Sequence, residues 1–308
     1  MRKVLHLGNK VFLLTFLVFV IFSFVGCNEF VGDQQTPSFI YVKGFSLVEN
    51  PAINESSVDG FQSAEISDAW IYVDNEYIGT YTLPANVPIL ERGKHKIDVR
   101  PGVKLNGIAM TRTEYPFYTY LSQDYDLVEG KTIEIDTIDI RYRDDITVFA
   151  LTELFENPYL NFTTDNVSSD SNLIVKCNNL DTVAYGSYCG AMYIGKDQST
   201  YRIISDSIYS NNYSSLILEM DYWCNVPFGV GLSGRYSSSS AVQYINAMTL
   251  YANKDKGWQK VYIVLGKVWQ QMGYPNNFKV YFYPQNPNNI DNGWVYIDNI
   301  KVIHRPNN

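Results

Sequence analysis

Short runs in which apolar and polar residues alternate recur along this chain, separated by Gly, Pro, Asn and Asp. In residues 68–74 (DAWIYVD), Ala69, Ile71 and Val73 fall on one face, and the polar and larger residues fall on the other. A period of two is the pattern of a strand with one buried face, and no helical period persists for three turns after residue 27. The 25 tyrosines also favour pleated, half-buried surfaces. The sequence therefore predicts an all-β protein.

A change of pattern near residues 141–155 predicts two domains. The charged segment 141–145 (RYRDD) ends the first set of strand-like runs, and a new pattern begins at Leu154. We expect a small β-sandwich over 37–145 and a second domain over 146–308. Eight or nine strand-like runs in the second domain suit a two-sheet jelly roll.

The first 27 residues are typical of a secretory signal. Arg2, Lys3 and Lys10 are followed by an uncharged apolar run over 11–25, which ends in Gly26 and Cys27. This ending resembles the bacterial lipobox. The resemblance implies a lipoprotein signal peptide over 1–27, acylation (palmitate) of Cys27, a polar tether over 28–36 and anchoring in the lipid bilayer. Asn follows Cys27 where Asp would favour inner-membrane retention, so the resemblance favours the outer membrane of the cell envelope. The alternative is an uncleaved anchor helix.

The net charge of the chain limits which classes of partner it can bind. Removal of the three basic residues of the signal leaves 21 basic against 32 acidic residues, a net charge near −11. Nucleic acids and anionic lipids both require a basic footprint, so neither is an expected partner.

Three cysteines follow the lipobox (Cys177, Cys189 and Cys224), and they allow at most one internal disulfide. Three buried thiols are the equal alternative.

The first domain resembles a known envelope module over residues 68–100. The segments WIYVDNEYIGTY and ILERGKHKIDV are similar to the hairpin and following strand of PEGA-type β-domains. The resemblance implies a scaffolding or surface-interaction module without catalytic residues.

The second domain resembles galactose-binding-like, carbohydrate-module-type jelly rolls. The resemblance rests on LILEMDYWCNVPFGVGL, GWQKVYIVLG, FKVYFYP and the last strand GWVYIDNIKVI. It implies that Glu156 and Asp298 share a structural calcium ion. Alternatively, Glu156 caps a turn and Asp298 accepts backbone hydrogen bonds. The order of a lipobox followed by these two domains resembles that of outer-membrane lipoproteins of Bacteroidota. This resemblance does not imply a particular activity.

One strand-like run predicts a binding face. Over residues 215–224, Glu219, Asp221 and Trp223 alternate with apolar residues and share one face. A tryptophan beside two acids suits sugar recognition, because the ring stacks on a pyranose and the acids accept from its hydroxyls. The alternative is a solvated face on which Trp223 covers a loop.

Catalytic motifs are absent from the sequence. There is no G-x-S-x-G elbow, and only His95 and His304 follow residue 27 as imidazole bases. We therefore expect a non-catalytic surface lipoprotein that binds a glycan or another envelope component. The alternative is a structural or assembly subunit of an outer-membrane protein complex. A glycan-active enzyme would rest on fold analogy alone.

Overall fold

The computed structural model describes residues 35–306 except 59, 166–173, 180, 198–199 and 210–214. Cys27 and the signal peptide lie outside these residues, as does most of the tether. The fold is all-β, as the sequence predicts. Its only α-helix within the described residues is α1 (Gly266–Gln271). The strands are β1 (Ser38–Leu47), β2 (Asp68–Val73), β3 (Glu76–Thr82), β4 (Ala85–Ile89), β5 (Gly93–Lys104), β6 (Arg112–Glu114), β7 (Leu121–Leu127), β8 (Thr132–Ile140), β9 (Val148–Glu153), β10 (Phe162–Thr164), β11 (Ile174–Cys177), β12 (Cys189–Gly195), β13 (Ile203–Ser205), β14 (Ile208–Tyr209), β15 (Ile217–Cys224), β16 (Phe228–Gly234), β17 (Gln243–Leu250), β18 (Gln259–Val264), β19 (Asn277–Pro284) and β20 (Asn292–His304).

A search of the described part of the chain finds no helix that is long and apolar enough to cross a membrane.

The first sandwich consists of strands β1 to β8 in two sheets. One sheet has the order β4-β1-β8, and the other has the order β3-β2-β5-β6 with β7 also paired to β5. The predicted hairpin is β2–β3, and its turn residues are Asp74 and Asn75, with φ of 49° and 71°. Left-handed backbone at both turn positions matches the twist of a two-residue hairpin, and Asp and Asn tolerate it best after glycine. The turn lies one residue earlier than the sequence predicted.

The second sandwich consists of strands β9 to β20, and it is the predicted jelly roll. The sheet that we call the β20 sheet has the order β11-β12-β20-β15-β18, with β9 also paired to β20. The sheet that we call the β19 sheet has the order β10-β13-β19-β16-β17, with β14 also paired to β19. Alternate residues of facing strands, such as Met220, Phe282 and Val295, are fully buried between these sheets. Each sheet therefore presents a second face that points away from this core.

The first sandwich packs against the outer face of the β20 sheet. Its apolar core is continuous with Ile217, Tyr262 and Ile303, which belong to the second sandwich. The backbone also joins the two units, because Asn106 N–H donates to the Tyr262 carbonyl at 2.6 Å and Asn106 Oδ1 accepts from Val264 N–H at 3.1 Å. This docking divides the outer face of the β20 sheet into a covered half and an open half.

Candidate functional site

The covered half contains two of the three predicted binding residues. Glu219 is 0% exposed and Asp221 is 3% exposed. The expectation that these carboxylates line an open face is wrong, because the first sandwich lies over them. Alternation placed them correctly on the face opposite the core residues Leu218 and Met220. What covers that face depends on residues more than 70 positions away in the chain.

Glu219 is held by two tyrosines of the first sandwich. The Tyr142 hydroxyl donates to Glu219 Oε2 at 2.6 Å, and the Tyr115 hydroxyl donates to Oε1. Burial raises the pKa of both tyrosines well above the usual value, and the neighbouring Glu219 charge raises it further. Both hydroxyls therefore keep their protons and remain donors. Lys260 Nζ lies 3.9 Å from Glu219 Oε2 and supplies a positive charge.

Asp221 is enclosed in the same way. Its Oδ2 accepts from Ser63 Oγ at 2.5 Å and from Asn299 Nδ2 at 2.7 Å. Lys260 Nζ lies 3.8 Å away. These contacts satisfy a buried carboxylate, as a structural role requires. Glu219 and Asp221 therefore join the two sandwiches and are closed to a ligand.

The open half carries four aromatic side chains, which we call the aromatic platform: Tyr193 of β12, Trp223 of β15, and Trp294 and Tyr296 of β20. Neighbouring strands bring them together, since Tyr193 pairs with Trp294 and Trp223 pairs with Tyr296. The Trp294 and Tyr296 ring centroids are 4.8 Å apart with an interplanar angle of 31°. Trp223 meets Trp294 edge-on at 5.1 Å, and Tyr193 meets Tyr296 edge-on at 6.3 Å.

Hydrogen bonds to neighbouring residues hold the platform residues in position. Trp223 Nε1 donates to the Lys254 carbonyl at 3.0 Å. Trp294 N–H donates to Asn225 Oδ1 at 2.6 Å, and Asn225 Nδ2 donates to the Asn292 carbonyl at 2.9 Å. Tyr193 is 49% exposed, and the other three rings are partly exposed. Rigid aromatic rings with polar groups around them can stack on an apolar ligand surface and leave that ligand's polar edge to the rim.

Only one ring of the platform was singled out from the sequence. The Trp294 ring, which the strand pattern did not single out, also lies outside the core on the open face. The sequence did contain part of the information, because Trp294, Tyr296 and Asp298 are alternate residues of the last strand and therefore share one face. Sequence alone does not tell which strands are neighbours, and Tyr193 could therefore not be added.

The predicted calcium ligands are partly occupied by protein groups. Glu156 Oε1 accepts from the backbone N–H of Ser187 and Tyr188 at 2.8 and 3.0 Å, and Asp298 Oδ1 accepts from Asn299 N–H at 2.8 Å. Among the residues that the structure describes, the buried Asp298 Oδ2 has no hydrogen-bond partner, which leaves one oxygen that suits a cation. The part of the chain that the structure describes contains no group of three or more His, Cys, Asp or Glu side chains that could hold a metal. Calcium therefore remains a prediction.

The charge state of this region is shifted by burial. The pKa of Asp298 is raised to about 8, chiefly by burial and also by the negative charges of Asp221 and Glu156. The hydrogen bond from Asn299 N–H and the positive charge of Lys260 oppose this rise. Burial lowers the pKa of Lys301 to about 7. Near neutral pH a large fraction of each group is therefore uncharged, which lowers the free-energy cost of burying it.

A separate groove of about 660 Å³ lies where the two sandwiches meet, and Asn106, Tyr222, Trp258 and Gln259 contribute to its lining. Trp258 Nε1 donates to the Thr182 carbonyl at 2.9 Å, so this ring is tied to a loop of the β20 sheet. Because of its size, this groove is the alternative candidate for a ligand site, and we call it the rival groove.

No protein-family model and no curated protein matches this chain. Among solved structures, a promiscuous carbohydrate-binding module of the β-sandwich superfamily is 14% identical, with a TM-score of 0.36 over 78% of this chain and 86% of the module. A family 11 carbohydrate-binding module from Clostridium thermocellum, in complex with a mixed-linked tetrasaccharide, is 12% identical, with a TM-score of 0.35 over 53% of this chain and 98% of the module. The K3 cleaved adhesin domain of Lys-gingipain from Porphyromonas gingivalis is 14% identical, with a TM-score of 0.34 over 51% of this chain and 99% of that domain. Likenesses of this size assign neither a family nor a function.

Proposed function

We propose that this chain is a non-catalytic glycan-binding protein whose sugar-contacting surface is the aromatic platform. The observation that carries the proposal is the position of four aromatic rings on one open sheet face, outside the apolar core between the sheets. Large aromatic surface left open to water usually marks a binding site.

The shape and surroundings of the platform favour a sugar. The Trp294 and Tyr296 rings stack on each other, with centroids 4.8 Å apart and an interplanar angle of 31°, and so form one compact apolar unit on the open face. Trp223 stands edge-on beside them. Lys254, whose carbonyl accepts from Trp223 Nε1, and Asn292, whose carbonyl accepts from Asn225 Nδ2, are exposed at the rim. Their side chains can reach hydroxyl groups. A pyranose presents an apolar C–H face and a polar edge, and this arrangement is complementary to both.

The remaining parts of the proposal come from the sequence. Acylation of Cys27 would anchor the chain in the outer membrane and leave the two sandwiches free to meet glycans. Support comes from the basic start, the apolar run and the Gly-Cys ending of residues 1–27. The PEGA-like segment supports a spacer or interaction role for the first sandwich.

The test is a glycan array probed with the full chain in detergent. The wild-type chain is compared with Trp223→Ala and Trp294→Ala in one variant. Trp258→Ala is the matched control, since it removes a tryptophan from the rival groove. We expect the wild type and Trp258→Ala to bind the same glycans and the double variant to lose them. Loss with Trp258→Ala alone would move the site to the rival groove. Binding to no glycan by a folded wild type would favour the alternative role as an assembly subunit.

A further inference from the structure

A second groove lies on the opposite side of the jelly roll, at one end of the outer face of the β19 sheet. Its volume is about 490 Å³, and Arg235, Tyr236, Lys279, Ser237 and Asn277 contribute to its lining. It is formed by the end of β16, the segment that follows it and the start of β19. We call it the cationic groove.

The charge of this groove runs against that of the whole chain. Two cations, Arg235 and Lys279, line it, and none of the lining residues that the structure describes is acidic. The chain as a whole carries eight more acidic than basic residues. Arg235 is held in position because its Nη1 donates to the Ser240 carbonyl at 2.6 Å, a contact that leaves its positive charge in place.

The positive charge continues along the same face. The Arg202 guanidinium lies 4.6 Å over the Tyr244 ring. Burial raises the pKa of Tyr244 to about 12, and the nearby positive charges of Arg202 and Arg235 oppose that rise. The neighbouring carboxylate, Asp165, is already engaged, since it accepts from the Tyr244 hydroxyl at 2.6 Å. Three cations therefore face this region together with one occupied carboxylate.

An aromatic ring is positioned beside the cations. Tyr236 is 68% exposed, yet its ring lies directly against Gly273, whose φ is +77°. A Cβ on Gly273 would lie 2.2 Å from Tyr236 Cδ2, so only glycine permits this approach. The ring thus has backbone support on one side and presents its other surface to the solvent at the groove.

We propose that the cationic groove binds an acidic saccharide, with Arg235 and Lys279 on its anionic group and Tyr236 against its ring. A guanidinium pairs with carboxylate or sulfate oxygens through two parallel N–H groups, and an ammonium adds a point charge. The seryl and asparaginyl side chains of the lining supply donors and acceptors for hydroxyls. A nucleic acid does not suit the groove, because the chain as a whole carries eight more acidic than basic residues and would repel an extended polyanion. This site is separate from the aromatic platform and does not depend on the proposed function.

The test is calorimetric titration of the full chain with three probes: an oligosaccharide of uronic acid, the same oligosaccharide after reduction of its carboxyl groups, and a sulfated oligosaccharide of equal length. We expect at least one acidic probe to bind and the reduced probe to bind at least tenfold more weakly. The preference between carboxylate and sulfate identifies the anionic group. Binding should weaken as salt is raised, because partly exposed ion pairs are screened.

Variants assign the binding to this groove. Arg235→Gln with Lys279→Gln should weaken the acidic probe at least tenfold, and Tyr236→Ala should weaken both the acidic and the reduced probe. Lys256→Gln is the matched control, because it removes an exposed lysine from another surface. Repeating the titrations in the variant with Trp223→Ala and Trp294→Ala removes any contribution of the platform. The preference for the acidic over the reduced probe should persist there, which keeps this result distinct from failure of the platform. Equal binding of the acidic and reduced probes, an unaffected double glutamine variant that is folded, or no binding of either acidic probe would overturn the proposal.

Discussion

Replacement of Glu219 by alanine tests the covered half of the β20 sheet most severely. Glu219 is 0% exposed, and Glu219→Ala would leave the hydroxyls of Tyr115 and Tyr142 without their acceptor. It would also remove one of the two carboxylates near the buried Lys260 ammonium. Each buried polar group left unpaired costs about 1–3 kcal/mol, and removal of one partner from a buried ionic contact costs about 3–5 kcal/mol. Because these costs overlap, we expect the free energy of unfolding to fall by about 3–5 kcal/mol.

The assay is equilibrium unfolding in urea, with the slope of the free energy against denaturant compared between variants. Glu219→Gln keeps the shape and one carbonyl acceptor, so it should cost less than Glu219→Ala. Glu134→Ala removes an exposed glutamate from β8 and should stay within about 0.5 kcal/mol of the wild type. A loss below about 1 kcal/mol for Glu219→Ala, at an unchanged slope, would refute the reasoning. It would mean that the first sandwich does not enclose this carboxylate in solution.

Four further predictions concern Asp298 and the cysteines. Burial raises the pKa of Asp298 from 3.8 to about 8, so the folded state holds this proton more tightly than the unfolded state, and stability should fall as pH rises from about 4 towards 8. Asp298→Asn should flatten that fall, and thermal unfolding at pH 5 and pH 6 in chelator checks it below the pKa of Lys301, which is about 7. If Asp298 binds calcium, added calcium should raise the melting temperature of the wild type only. Cys177 and Cys189 are direct cross-strand partners, a spacing compatible with a disulfide, whereas Cys224 lies opposite Val295. Oxidised glutathione should therefore join Cys177 to Cys189 and leave Cys224 as a thiol in peptide mass mapping. Cys27→Ser should abolish incorporation of labelled fatty acid, and unchanged labelling would contradict the lipobox interpretation.

The fold could be predicted because its signals are local. Alternation in 68–74 and 215–224 fixes which residues share a face, and Asp74 and Asn75 permit the tight hairpin turn. Helix α1 was missed, because six residues are too few to show a helical period. The site could be predicted only in part. Trp223 and Glu219 share one face of β15, yet Trp223 is open and Glu219 is enclosed. The difference is made by Tyr115 and Tyr142, which arrive from the other sandwich. Such long-range docking leaves no mark in a local pattern.

The aromatic platform is tested most directly by calorimetric titration of the full chain with the best neutral glycan from the array. An aromatic side chain at the centre of a binding surface typically contributes about 2 kcal/mol or more when truncated, which is roughly a thirtyfold change in Kd. Trp294 has Trp223 and Tyr296 as ring neighbours, so it stands within the platform. We predict that Trp294→Ala weakens binding by about that factor and that Tyr209→Ala, which removes an exposed tyrosine from β14 of the other sheet, leaves Kd unchanged. Equal affinity for the wild type and Trp294→Ala would contradict the assignment of the platform as the sugar-binding surface.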